Sequence, residues 1–274
     1  MPLNVLFQVL GIFLCSTCIV EGGSYADNVR NLFVRHFNDK DNKCWKATKA
    51  DQTTNDKDMA IALVNVYTQE CKDYNNKTNA SPFYKELNAK LRAQTKEQIW
   101  LDTEQLLNQG LGIIGIKTWD LLFRACKCDN IKQGHSFHVY SYWSTSLLPW
   151  VANDFLNDEA IFFKMLKTPR GADVSQYSKF SYEKEVLLQS NREFYVTEYV
   201  TDKQGIANKT KEVDGKLKWS EMLAFAVVTG DIPARGSRSA PKSGYCDCSH
   251  GTTSGASMPT SFLSALFFIA FTLV

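Results

Sequence analysis

The chain has 274 residues, 44% of them hydrophobic and 22% charged, with 31 Lys and Arg set against 29 Asp and Glu for a formal net charge of +2. That balance, with no dense Lys/Arg block interleaved with aromatics, argues against nucleic acid as a partner. The length left after both apolar ends are set aside suits one sizeable core, read here as a single domain over residues 24–232.

Val5 to Val20 form a hydrophobic run followed by Gly22, Gly23 and Ser24, the layout of a cleaved signal peptide over residues 1–23, although Met1-Pro2-Leu3-Asn4 lacks Lys and Arg. From Tyr25 to about Asn79 the sequence reads as polar and irregular, apart from Ala60 to Val66. Ser81-Pro82 opens a helix with Phe83, Leu87 and Leu91 on one side. Thr95-Lys96-Glu97-Gln98 has the form of a capping box, and the helix behind it, carrying Ile99, Trp100, Thr103, Leu106 and Leu107, is expected to end near Gly110.

After Trp119 the texture changes to β-branched and aromatic runs separated by Gly, Pro and Asn, which are strand signals: Leu121–Arg124, Ser136–Trp143, Ala160–Leu166, Glu185–Gln189 and Glu193–Tyr199. Leu148 to Phe155, with Pro149 in its first turn, reads as a helix. A helical first half and a β-rich second half give the α+β class. Residues 233–253, rich in Gly, Ser, Ala and Pro, suit a flexible stalk. Phe262 to Val274 is apolar to the last residue yet shorter than the roughly 20 residues of a membrane-spanning helix. With the small residues and polar spacer of Ser249 to Ala256 before it, this tail has the order of a GPI-attachment signal, read as a propeptide over 254–274. The ends together imply a cell-surface protein held by a GPI anchor, with a secreted form as the alternative, and sequons at Asn76, Asn79 and Asn208 fit either.

Once Cys15 and Cys18 leave with the signal, Cys44, Cys71, Cys126, Cys128, Cys246 and Cys248 remain, an even set that points to disulfides whose pairing the spacing leaves open. The C-x-C spacing does not suit zinc, and His135 and His138 read as loop and strand residues, so no metal is expected. Tyr140, Tyr142 and Trp143 read mainly as core aromatics. The chemistry concentrates at Glu183-Lys184-Glu185, at the mouth of the apolar run Val186-Leu187-Leu188. On an extended segment both carboxylates face one site with Lys184 turned aside. Two close carboxylates repel, which separates their proton affinities and their tasks. Taken alone, the tripeptide fits a solvated strand end.

Upstream stand Arg124 and Ser144-Thr145-Ser146, each at the end of an expected strand. Arg, then S-T-S, then E-x-E in this order resembles the motif of the arginine-specific mono-ADP-ribosyltransferases of the vertebrate GPI-anchored ecto-enzyme type. The flanks agree: Phe83 to Arg92 is similar to that family's helix of pattern aromatic-x-E-x-N-x-x-x-R, and Glu193-Phe194-Tyr195-Val196 to a late core strand. Cys44 resembles its N-terminal disulfide cysteine, and the likeness runs from about Asn38 to Tyr199.

The resemblance implies a helical front packed on a mixed or antiparallel β core of the ADP-ribosyltransferase type. It implies NAD as co-substrate, no metal, and arginine-bearing surface or secreted proteins as acceptors. Cleaving the nicotinamide–ribose bond develops an oxocarbenium-like cation, which a carboxylate stabilises; Glu185 takes that role. Arg124 would hold the pyrophosphate by bidentate charge-assisted bonds. Ser144 would position Glu185 and the ribose, Thr145 and Ser146 would touch substrate or support the loop, and Glu183 would orient an arginine acceptor. The family usually has Gly after its Arg where this chain has Ala125, implying a difference in NAD affinity or in the local turn. It has Ile-Pro-Pro after the catalytic strand where this chain has Leu188-Gln189-Ser190, implying a looser loop. The alternatives are an NAD glycohydrolase and a catalytically silent binding module of the same fold.

Overall fold

Helices precede the strands in the computed structural model, which describes residues 23–37, 43–50, 52–69, 71–74, 81–230 and 244–247. The expected signal up to residue 22, the attachment signal over 254–274, most of the stalk, Asn76, Asn79 and Cys248 lie outside the described residues. Helices α1 (Tyr25–Phe37), α2 (Lys43–Thr48) and α3 (Asp56–Thr68) occupy the stretch expected to be irregular. Spacing, more than composition, forms them: Ala26, Val29, Leu32, Phe33, His36 and Phe37 fall on one face of α1 and are all buried. The Asn55 side chain caps α3 by accepting from the Asp58 N–H at 2.8 Å, and Asp56 and Asp58 lie where the helix dipole favours negative charge.

Helix α4 (Phe83–Arg92) forms on the expected face of Phe83, Leu87 and Leu91. Helix α5 (Gln98–Ile114) differs from expectation at both ends. Thr95 Oγ1 accepts from the Glu97 N–H at 3.1 Å, and no capping box forms. The helix runs through Gly110 and stops at Gly115, whose φ is 120°. Gly110 serves packing instead: a Cβ there would run into the Tyr25 hydroxyl, which donates to the Leu106 carbonyl at 3.1 Å.

The β core is a closed ring in the order β1 (Ile116–Asp129), β3 (Trp143–Ser146), β5 (Glu185–Leu188), β4 (Ala160–Asp173), β7 (Ala224–Thr229), β6 (Arg192–Val200), β2 (Ser136–Val139) and β8 (Gly244–Asp247). Strands β1 and β4 also pair directly in a long antiparallel ladder from Trp119↔Thr168 to Lys127↔Ala160. The β4–β7 and β2–β8 pairs are parallel. Helix α6 (Lys203–Val213), capped by Asp202, follows β6. The α+β expectation holds.

The run Ser136–Trp143 is two strands. Tyr142 turns its N–H to Asn88 Oδ1 at 3.1 Å, so the chain leaves the β2–β6 pairing and re-enters as β3 against β5. The expected helix at Leu148 is a 3₁₀ helix over Pro149–Phe155. Strand β8 falls inside the segment expected as stalk, where Cys246 is disulfide-bonded to Cys128; a second disulfide joins Cys44 to Cys71. Among the described residues no helix is long and apolar enough to cross a membrane. Inside the ring, Trp143 stacks on Phe194 with centroids 5.3 Å apart, a pairing worth about 0.5–1.5 kcal/mol beyond area burial. Leu187 and Tyr142 turn the other way, into the core of the helical half, which locks that half against β5 and the start of β3.

Candidate active site

Strand register assembles the site. Pairing of β3 with β5 sets Ser146 opposite Glu185 and Ser144 opposite Leu187, while β1 meets β3 at Phe123↔Ser146. Arg124, Ser144 and Glu185, distant in sequence, thus come to one place. Glu185 is only 6% exposed, and the Ser144 and Ser178 hydroxyls lie close enough to its carboxylate to favour the ionised form. Burial raises its proton affinity above the ordinary value, against the lowering effect of those two serines and Arg124. Arg124 donates from its guanidinium to the Ser144 carbonyl and lies over the Trp143 indole at 5.4 Å.

Glu183 does not share a strand with Glu185. Ser181–Glu183 is a 3₁₀ turn, and Lys184 is left-handed at φ 48°, so the chain reverses before β5 begins. The end of β3 and the residue after it hold this shape. Ser146 Oγ donates to the Glu183 carbonyl at 2.5 Å and accepts from the Leu148 N–H at 2.9 Å, while the Leu147 N–H donates to the Lys184 carbonyl at 3.2 Å. Both acids still border one cavity of about 220 Å³, Glu185 deep and Glu183 half-buried. The Glu183 carboxyl is pushed up to about 7, first by burial, then by the charges of Glu185 and Asp154. Beside it Tyr182 and Phe155 are 55% and 42% exposed.

Thr145 and Ser146 hold the loop. Thr145 Oγ1 donates to the Val186 carbonyl at 2.7 Å, as Ser146 does to Glu183, so both hydroxyls are engaged by backbone. The expected altered turn after Arg124 is absent: Ala125 sits in the β1–β4 ladder opposite Phe162 and is not among the residues with positive φ. Nor is the loop after β5 loose. Gln189 Nε2 donates to the Asn108 carbonyl at 2.8 Å and its Oε1 accepts from Arg170 at 2.6 Å, while Ser190 donates to Glu104 at 2.6 Å. Those polar side chains do the fixing that proline would do elsewhere.

Sequence reasoning missed several lining residues. Tyr67 and Thr68 come from the end of α3, in the stretch expected to be irregular, and Ser178 comes from an aperiodic polar segment with no local signal. Tyr84 and Asn88 lay within the quoted helix pattern without a role. Lys85 and Arg92 from α4 add basic groups to the cavity that Arg124 lines. The cavity therefore carries basic and acidic side chains together, Lys85, Arg92 and Arg124 with Glu183 and Glu185, a composition that fits a ligand with a diphosphate and a developing cation. His138 hydrogen-bonds Asn191 at 2.6 Å, and among the described residues no group of three or more His, Cys, Asp or Glu could hold a metal.

Residues 123–218 match the family model described as ADP-ribosyltransferase exoenzyme, a span that contains Arg124, Ser144, Glu183 and Glu185. No curated protein matches the chain. Among solved structures, exoenzyme S from Pseudomonas aeruginosa, bound to carba-NAD and human 14-3-3 beta, is similar at 17% identity and a TM-score of 0.54, over 80% of this chain and 95% of that one. The ADP-ribosyltransferase HopU1 of Pseudomonas syringae is similar at 15% identity and a TM-score of 0.50, over 76% and 97%. The chain has the ADP-ribosyltransferase fold, and the part of it that carries the candidate acids matches the ADP-ribosyltransferase exoenzyme family.

Proposed function

We propose that this protein is a mono-ADP-ribosyltransferase that takes ADP-ribose from NAD, releases nicotinamide, and transfers the group to arginine side chains of proteins. The observation that carries the reading is the convergence of Arg124, Ser144 and a buried Glu185, with Ser178 beside it, on one cavity. As the nicotinamide bond breaks, positive charge grows on the ribose, and a carboxylate already desolvated and oriented stabilises it with little reorganisation. Arg124, with Lys85 and Arg92, would take the diphosphate. Ser144 and Ser178 would hold Glu185 ionised and aimed. Glu183, at the mouth, would pair with the acceptor guanidinium and orient its nitrogen toward the ribosyl carbon.

Hydrolysis by water is the second reading. It is favoured by the Glu183 carboxyl being pushed up to about 7, since a neutral Glu183 gives a guanidinium no partner. We place the protein at the cell surface through a GPI anchor, on the strength of its apolar ends and its disulfides, which suit an oxidising compartment. Retention on cells after phosphatidylinositol-specific phospholipase would count against that anchor.

The test of function is incubation of purified protein with NAD and an arginine analogue. Release of nicotinamide with adduct is expected; release without adduct would favour the hydrolase, and no release the silent module. Glu183→Gln should cut transfer on the order of 10²-fold, the loss typical of removing one partner of a close charge pair, while sparing hydrolysis. Equal loss of both activities would remove Glu183 from the acceptor role.

A further inference from the structure

Three tyrosine hydroxyls in this fold donate to backbone carbonyls: Tyr25 to Leu106 at 3.1 Å, Tyr74 to Ser81 at 2.5 Å and Tyr142 to Glu104 at 2.8 Å. Tyr67 behaves differently. It is 4% exposed, and its hydroxyl accepts a bond from Asn88 Nδ2 at 2.9 Å. The backbone fixes the direction of that bond. The Tyr142 N–H, which can only donate, meets Asn88 Oδ1 at 3.1 Å, so the amide must turn its NH₂ group to Tyr67. The Tyr67 proton is therefore directed away from Asn88, and among the described residues none accepts it. Burial above all holds the phenol well above its ordinary range, so the group remains a donor at any working pH.

Tyr67 borders the same cavity as Asn88, Arg124 and Glu185, and the last two lie close enough for their charges to act on it. A hydroxyl that accepts from one neighbour keeps its proton for a second partner, and at a cavity wall that partner can be what fills the cavity. We propose that Tyr67 is a further substrate-binding residue, its hydroxyl donating a hydrogen bond to an acceptor oxygen on the nicotinamide-ribose half of bound NAD, between Asn88 and Glu185. The proposal rests on the NAD reading above and adds to it a contact from the helical half, outside the span matched by the family. The interaction exists before the bond breaks, so it acts on binding more than on the chemical step.

Tyr67→Phe keeps the ring and removes the donor. Calorimetric titration of the full chain with NAD, and with a non-cleavable NAD analogue, is expected to show binding weakened about tenfold, with KM raised by a similar factor and kcat changed little. Tyr74→Phe, which loses a hydroxyl remote from the cavity, should bind NAD like the wild type while its melting temperature falls. Asn88→Asp provides a second route that leaves Tyr67 in place, because a carboxylate would accept the Tyr67 proton and withdraw it from the ligand; weaker binding is expected there too. Wild-type NAD affinity in Tyr67→Phe, or in Asn88→Asp should Tyr67→Phe not fold, would overturn the proposal and assign the hydroxyl to packing. Failure of the unmutated protein to bind NAD would overturn the underlying reading itself, and is seen without any variant.

Discussion

Glu185 and Glu183 stand two residues apart, yet the floor that holds the first and the mouth that holds the second are built by different means. The floor is strand ladder: β1, β3 and β5 fix Arg124, Ser144 and Glu185 by backbone pairing, and Glu185 is 6% exposed with two serine hydroxyls beside its carboxylate. The mouth is a 3₁₀ turn and a left-handed Lys184 tied by Ser146, edged by exposed aromatics. A ladder repeats its geometry regardless of which side chains it carries, so it suits a step common to every substrate. A turn held by a few side-chain bonds changes with each residue, so it suits the choice of acceptor.

The largest expected effect breaks the floor. Glu185→Gln should reduce nicotinamide release on the order of 10³-fold with or without acceptor, because an electrostatic stabiliser of the developing cation is removed. A variant that lost transfer alone would reverse the roles assigned to floor and mouth. Arg124→Lys comes next. Lys keeps the charge but loses the planar fork and the stacking over Trp143, so kcat/KM for NAD should fall on the order of tenfold or more. An unchanged value would mean that Arg124 acts only through the Ser144 carbonyl.

Ser178→Ala sharpens the description of the floor. Ser178 lowers the proton affinity of Glu185, so its loss should move the acidic limb of the pH–rate profile to higher pH, for hydrolysis and transfer alike. A uniform drop in rate with the limb unmoved would show a packing defect instead. The mouth has its own limb. In the proposed acceptor role Glu183 acts ionised, and its carboxyl is pushed up to about 7, so the transfer-to-hydrolysis ratio should rise as pH passes upward through that value.

The floor was legible in the sequence and the mouth was not. Arg124, Ser144 and Glu185 could be read because their order resembles a family motif, although Arg124 lies inside β1 and Ser144 inside β3 and not at the strand ends expected for them. The period-2 rule carried Glu183 onto the same strand, and failed because long-range bonds from Ser146 to Glu183 and from Leu147 to Lys184 override local extension. No local pattern contains those partners. The helices before Asn79 were missed for a different reason: Val29, Phe33 and Phe37 have helical spacing, but the polar residues between them hid it in the composition. With them went Tyr67 and Thr68, the contribution of α3 to the cavity.

The smallest expected effect is on stability, and it tests the mouth without any substrate. Folding raises the Glu183 carboxyl from its ordinary 4.5 to about 7, so between those values the folded state holds a proton that the unfolded chain has released. Stability from this group therefore falls as pH rises from 4.5 through 7 and stays at its lower level above, where the ionised carboxylate faces Glu185 and Asp154. Gln at position 183 removes the ionisation and the repulsion together. The melting temperature of Glu183→Gln should match the wild type near pH 5 and exceed it at pH 8 by a few degrees, with about 2–4 °C corresponding to each 1 kcal/mol in a domain of this size. An equal difference at both pH values would mean that solvent reaches the carboxylate freely, and the mouth would then be no better at distinguishing acceptors than open water.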